Sequence, residues 1–166
     1  LNTQPTADVT INISSSDTGE GDVDKSSVVF NAGNWSIAQT VRVTGVDDDI
    51  DDGNINYTIV HVDAVSSDPV YDGMPVNNVS VTNLDDDNAG ISVSAISGNT
   101  TEGGGTATFN VVLDTEPTAN VTISFVSTDL VEGTVSPASY TFTSGNWNTA
   151  QTVTVTGKDD DIDDGD

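Results

Sequence analysis

The feature that most constrains this 166-residue chain is that it repeats itself. LNTQPTADVTI, opening at Leu1, recurs as LDTEPTANVTI, opening at Leu113, an offset of 112. The match continues without a gap from Phe30–Gly45 (FNAGNWSIAQTVRVTG) to Phe142–Gly157 (FTSGNWNTAQTVTVTG), and then from DDDIDDG at Asp47 to DDDIDDG at Asp159. Roughly 30 of the 54 overlapping positions are identical. A repeat of that length is a whole domain rather than one turn of a solenoid. The expectation is therefore one full period plus a partial second, an excerpt of a tandem array cut out of register with its domains.

Short Val, Ile, Thr and Phe segments with two-residue alternation, separated by Gly, Asn and Asp turns, predict strands, and helical periodicity is absent. In the first unit strands are expected near Asp8–Ser14, Ser27–Phe30, Gln39–Thr44, Tyr57–Val65 and Asn78–Thr82. In the second they fall near Gly90–Ile96, Thr106–Leu113, Asn120–Val126, Tyr140–Thr143 and Gln151–Thr156. Strands spaced by about ten residues predict an all-β fold of antiparallel sandwiches in tandem. The acidic link LDDDNAG (Leu84–Gly90) marks the boundary, giving domains 1–86 and 87–166. Each is expected to be truncated. The first lacks a counterpart of Gly90–Val112, its first two strands, and the second lacks a counterpart of Asn54–Asp86.

Charge narrows the function classes. With 27 acidic against three basic side chains, the formal charge is −24. A phosphate backbone would be repelled, which excludes nucleic acid as a partner, and anionic membrane surfaces are disfavoured by the same sign. No apolar run reaches the ~20 residues a membrane-spanning helix needs, so no membrane insertion is expected, and Leu1 follows no signal-peptide pattern. There is no cysteine, so disulfides and thiol–metal sites are out. The acid is unevenly spread: 23 are Asp, and 14 of these fall at Asp47–Asp49 with Asp51 and Asp52, at Asp85–Asp87, and in the run from Asp159 to Asp166. Two carboxylates about 4 Å apart repel by ~1 kcal/mol in water and more near a protein surface. Five within six residues would splay their loop unless cations neutralise it. A hard divalent cation is the natural remedy; the competing reading is a solvated acidic surface, which would favour dispersed charge and more Glu.

In order and spacing, DDDNAGI at Asp85, TEGGGTATFNVVL at Thr101 and FTSGNWNTAQTVTVTGKDDDIDDGD from Phe142 resemble the Calx-beta motif of sodium–calcium exchangers, integrin beta-4 and tandem arrays in giant bacterial surface proteins and adhesins. The likeness covers practically the whole chain, and its wording is most similar to the bacterial arrays. It implies tandem immunoglobulin-like sandwiches with Ca²⁺ bound at one tip, where loops meet the connection to the next domain. Carried over by position, it implies metal ligands at Asp47, Asp48 and Asp52, at the triplet Asp85, Asp86 and Asp87, and at Asp17. In the second unit the corresponding residues are Glu102, Asp129, Asp159, Asp160 and Asp164. One departure is Ile55, where the exchanger pattern often has a further Glu; fewer or weaker ions are implied.

The residues themselves agree with calcium, which takes six to eight oxygen ligands, commonly carboxylates and carbonyls from flexible loops. An EF-hand does not fit, because a start at Asp48 puts Ile50 at the third position and a start at Asp47 puts Thr58 at the twelfth. His61 is the sole imidazole, in the strand-like YTIVHVDAV, and transition-metal sites are not expected. The expected role is a Ca²⁺-stiffened structural repeat of an extended extracellular, cell-surface protein, whose partners are neighbouring copies of the repeat. The alternatives are an adhesin module binding a cell-surface or glycan target directly, and a Ca²⁺-sensing domain. Trp35 and Trp147 sit in the same GNW turn and read as rings packed over their own hairpins. No nucleophile elbow, phosphate loop or HExxH is present, and no enzyme is expected. Sequons at Asn12, Asn34, Asn56, Asn78, Asn99 and Asn120 are common in so Asn-, Ser- and Thr-rich a chain.

Overall fold

A computed structural model describes residues 1–159 of the chain. The described residues are all-β with several antiparallel sheets and no helix, so none is long and apolar enough to cross a membrane. Two compact units are present: Leu1–Asp48 with Asp52–Asp85, and Asp49–Asp51 with the chain from Asp86 onward.

The first unit contains β1 (Val9–Ser15), β2 (Gly21–Val23), β3 (Ser27–Phe30), β4 (Val43–Gly45), β5 (Ile55–His61), β6 (Val65–Ser66) and β7 (Val79–Asn83). One sheet runs β3-β1-β5-β7, with β6 also on β1, while β2 and β4 form a separate ribbon. The second unit contains β8 (Ile91–Val93), β9 (Thr106–Leu113), β10 (Val121–Ser124), β11 (Gly133–Ser136), β12 (Ser139–Phe142) and β13 (Gln151–Gly157). Here the four-stranded sheet is β11-β13-β9-β8 and the ribbon is β10-β12.

The sequence repeat is a repeat of register. Val9 lies opposite Phe30 in the first unit and Val121 opposite Phe142 in the second. Likewise Gly21 lies opposite Gly45, and Gly133 opposite Gly157. Alternation explains why, because a slip of one residue would turn every inward side chain outward. What differs is which pair is extended. β5 and β7 widen the β1–β3 sheet in the first unit, whereas β9 and β8 widen the β11–β13 sheet in the second.

Ten of the thirteen strands stand where the alternation predicts them; of the others, β6 has only two residues, and β2 and β11 open on glycine, which reads as a turn. Four expected strands are shorter than the pattern suggests: Gly90–Ile96 is regular only over Ile91–Val93 and Asn120–Val126 only over Val121–Ser124. Gln39–Thr44 is regular only from Val43, and Tyr57–Val65 is interrupted after His61, Val65 joining β1 through β6.

The cores follow the inward positions. In the second unit Val111, Leu113, Phe142 and Val153 are buried together, with Phe109, Val121, Ile123 and Val135 against them, so both the four-stranded sheet and the ribbon contribute. Phe125 stands edge-on to Phe109 and to Tyr140 at ring-centroid distances of 6.0 and 6.2 Å, a favoured aromatic geometry. In the first unit Ile13, Val28, Tyr57 and Ile59 form the main cluster, and Val9, Ala64 and Tyr71 a second. Trp147 packs on the core of its unit, as the turn position predicts.

Gly21 is held small by Tyr57, whose phenol ring lies where a Cβ would be built. At the equivalent Gly133 the nearest atom to such a Cβ, among the described residues, is Thr156 O at 3.4 Å. Gly21→Ala is expected to cost about 1–3 kcal/mol through overpacking, and Gly133→Ala well under half as much. Urea unfolding of the two variants checks this; equal losses would refute it.

Asp68 is the buried carboxylate of the first unit, 4% exposed. Its Oδ2 accepts the Thr6 amide at 2.8 Å and its Oδ1 the Val70 amide at 2.9 Å, pinning the segment before β1 to the loop after β6. The Thr6 amide foremost, then that of Val70, holds the carboxyl below its ordinary 3.8 against the opposing effect of burial. A lowered folded-state value stabilises fully above the unfolded value and is lost as pH falls through the folded one. Melting temperature measured against pH in EDTA should therefore drop below pH 3.8 more steeply for the parent than for Asp68→Asn. At pH 7 the variant, with an amide facing an amide, should melt about 5–10 °C lower. Parallel pH profiles would contradict this role.

Candidate metal centre

Two registers gather one end of the first unit. Pairing Gly21 with Gly45 places the start of β2 beside the end of β4, and pairing Ile55 with Asn83 places the start of β5 beside the end of β7. Glu20 precedes β2, the acidic loop joins β4 to β5, and Asp85 follows β7. Residues remote in sequence are thus delivered to one tip by ladder hydrogen bonds.

At that tip Glu20, Asp48 and Asp52 each offer a carboxylate oxygen, and these oxygens lie within 4.8 Å of one another. Glu20 is half-buried; Asp48 and Asp52 are exposed. Backbone and side-chain bonds orient Glu20. Its carbonyl accepts the Val46 amide at 3.0 Å, and its Oε2 accepts from Asn83 Nδ2 at 3.3 Å, while the same amide group donates to Val46 O at 2.7 Å. The loop turns back at Gly53, which takes φ +75°, a conformation that favours glycine. Its amide donates to Asp85 Oδ2 at 2.6 Å, and the Asp85 amide donates to Asn54 Oδ1 at 3.0 Å. The first residue of the terminal triplet is therefore fastened to the acidic loop within this unit.

Of the ligands implied by resemblance, Asp48 and Asp52 are brought together and Asp85 is tied to the same loop. Asp47 and Asp86 are exposed and Asp87 half-buried, outside the three-carboxylate group. Asp17 is used locally: its Oδ1 accepts the Gly19 amide at 3.0 Å. Asp129 does the same in the second unit, accepting the Val131 amide at 3.0 Å. Glu102 lies exposed in the turn closed by Thr101 and Gly105, and Asp159 is exposed just past β13. Asp160 and Asp164 lie outside the described residues. Asp49–Asp51, the middle of the acidic loop, cluster with the second unit, where Asp51 Oδ2 accepts the Ala89 amide at 2.7 Å.

Glu20 is the member that sequence reasoning missed. A signal existed: Glu20 recurs as Glu132 at the repeat offset, in a chain with only four Glu. The local frame recurs too, since Glu132 O accepts the Lys158 amide at 3.0 Å as Glu20 O accepts that of Val46.

Three carboxylates supply up to six oxygens, hard donors that suit Ca²⁺ or Mg²⁺ rather than softer metals. The three carboxylates have the donor chemistry that could hold a hard divalent ion. Comparison with known protein families, curated proteins and solved structures finds no match.

Proposed function

We propose that the chain is a Ca²⁺-binding structural repeat of an extended extracellular surface protein, built of immunoglobulin-like sandwiches whose joints the ions stiffen. The observation that carries this reading is the convergence of Glu20, Asp48 and Asp52 at the tip where Asp85 leads out of the first unit. Like charges so close are costly to hold together, and a divalent ion turns that cost into a crosslink between two chain segments, the turn at Glu20 and the acidic loop. The Calx-beta resemblance supports the same role from the sequence side, with Asp85–Asp87 as the segment that ions would clamp.

Direct adhesion is less well supported. An open hollow of about 660 Å³ in the second unit, lined by Ile96, Gly98, Asn99, Thr100, Ala107 and Val155, offers no aromatic platform for a sugar. Extracellular calcium modules bind at about 10⁻⁴–10⁻³ M, so the sites would fill outside a cell. Thermal melting and small-angle scattering in Ca²⁺ and in EDTA test the proposal. A higher melting temperature and a more extended, stiffer particle are expected with Ca²⁺; no change in either ends the reading.

A further inference from the structure

The first unit holds the dipeptide Asp-Gly in two settings, Asp52–Gly53 and Asp72–Gly73. All four residues are exposed, both glycines are left-handed at φ +75° and +72°, and, chain neighbours aside, no atom stands within 4 Å of where a Cβ would be built on either. A glycine after aspartate leaves the main-chain nitrogen unshielded, because it has no side chain of its own. That nitrogen can then close on the aspartyl side-chain carbon to form a five-membered succinimide. By sequence and backbone alone the two sites are equally reactive.

Their hydrogen bonds separate them. The Gly73 amide donates to the carbonyl of Ala64 at 2.8 Å, and Asp72 Oδ1 accepts the Ser66 amide at 3.2 Å, so nucleophile and electrophile are each tied to another segment. The Gly53 amide donates instead to a carboxylate, Asp85 Oδ2, at 2.6 Å. A carbonyl cannot take the proton of an attacking nitrogen, whereas a carboxylate can. A base so placed accelerates a proton transfer by about 100-fold or more.

We propose that Asp52 is a self-modification site, converted to isoaspartate through a succinimide with Asp85 as the general base. Asp85 Oδ2 takes the Gly53 amide proton while the nitrogen forms its bond to Cγ of Asp52 in the acid form. The C–OH bond of that carboxyl breaks, and Asp85 returns the proton to the departing hydroxide, so that one water is lost and the base is regenerated. Water then opens the ring. Attack at Cγ restores aspartate; attack at the main-chain carbonyl carbon leaves the backbone running through Cβ and Cγ, with the free carboxylate on Cα. Nothing is oxidised or reduced. The second product lengthens the acidic loop by one methylene and withdraws this carboxylate from its place beside Glu20 and Asp48. Loss of calcium binding at the tip is the consequence, and that consequence rests on the function proposed above; the covalent step needs no ion.

The test ages the full chain at neutral pH in EDTA, so that its outcome is separate from that of the calcium reading. Peptide mapping with electron-transfer fragmentation then counts isoaspartate at Asp52 and at Asp72 in the same molecules. Isoaspartate should build up about 100-fold faster at Asp52 than at Asp72. Asp85→Asn, which keeps an acceptor for the Gly53 amide but removes the base, should bring Asp52 down to the rate of Asp72. Asp85→Ser does the same without an amide that can hydrolyse back to aspartate. The Asp72 rate reports the fold of each variant, since it rises if the Ala64 and Ser66 contacts are lost, and the comparison within the parent stands whatever the stability of the variants. Equal rates at Asp52 and Asp72 in the parent, or an Asp52 rate that neither substitution lowers while that of Asp72 is steady, would overturn the assignment.

Discussion

Asp48→Asn with Asp52→Asn is expected to abolish the rise in melting temperature that Ca²⁺ produces in the first unit. With a dissociation constant near 10⁻⁴ M, about 10 mM free Ca²⁺ stabilises the folded form by about 2.7 kcal/mol. For a domain of this size that is about 10–20 °C. The parent should show this shift and the double variant should lose nearly all of it. In EDTA the order should reverse, because removing two of three crowded like charges relieves repulsion that the empty tip must bear. Glu20→Gln tests the half-buried member: it should weaken Ca²⁺ binding by about tenfold or more, which titration calorimetry reads directly. Asp63→Asn, an exposed acid remote from the group in sequence, serves as the charge control. A calcium shift that survives the double variant, or is lost equally with Asp63→Asn, would show that bulk charge and not this tip responds to the ion.

Phe142→Ala should be the most damaging single truncation in the second unit. The side chain is fully buried and packed with Val111, Leu113 and Val153, and emptying such a site costs about 3–5 kcal/mol. That is a large part of what holds a small domain together, so the second unit should unfold far earlier in urea. Phe30 stands at the same position of the repeat, opposite Val9 as Phe142 is opposite Val121, but it is only partly buried. Phe30→Ala should cost less, about 1.5–3 kcal/mol. Equal costs would mean that the two cores are packed alike and that the burial difference has no energetic weight.

The repeat made most of the fold legible. Alternating Val, Ile and Thr segments located ten strands, while the equivalence of register between the two units became visible only in the structure. Where the pattern failed, a reason can be named. β2 and β11 pair through three or four residues that begin at glycine, and β-propensity is weak evidence over so short a span. The expected strand at Gln39–Thr44 shrank because regular structure at an edge depends on a partner that propensity does not report. At the tip, clustering along the chain drew attention to the aspartates, while Glu20 sits alone in the sequence and was passed over.

The residue order by itself determined the β class, the positions of the turns, the doubling of the domain and the concentration of negative charge. These are local properties, written in alternation, in glycine at Gly53 and in adjacent carboxylates. Tertiary structure alone decided that Glu20 meets Asp48 and Asp52 and that Val153 is fully buried while its equivalent Val41 is half-exposed. Each of those outcomes depends on which strand lies alongside which, and strand pairing is fixed by hydrogen bonds and packing between segments that are distant along the chain.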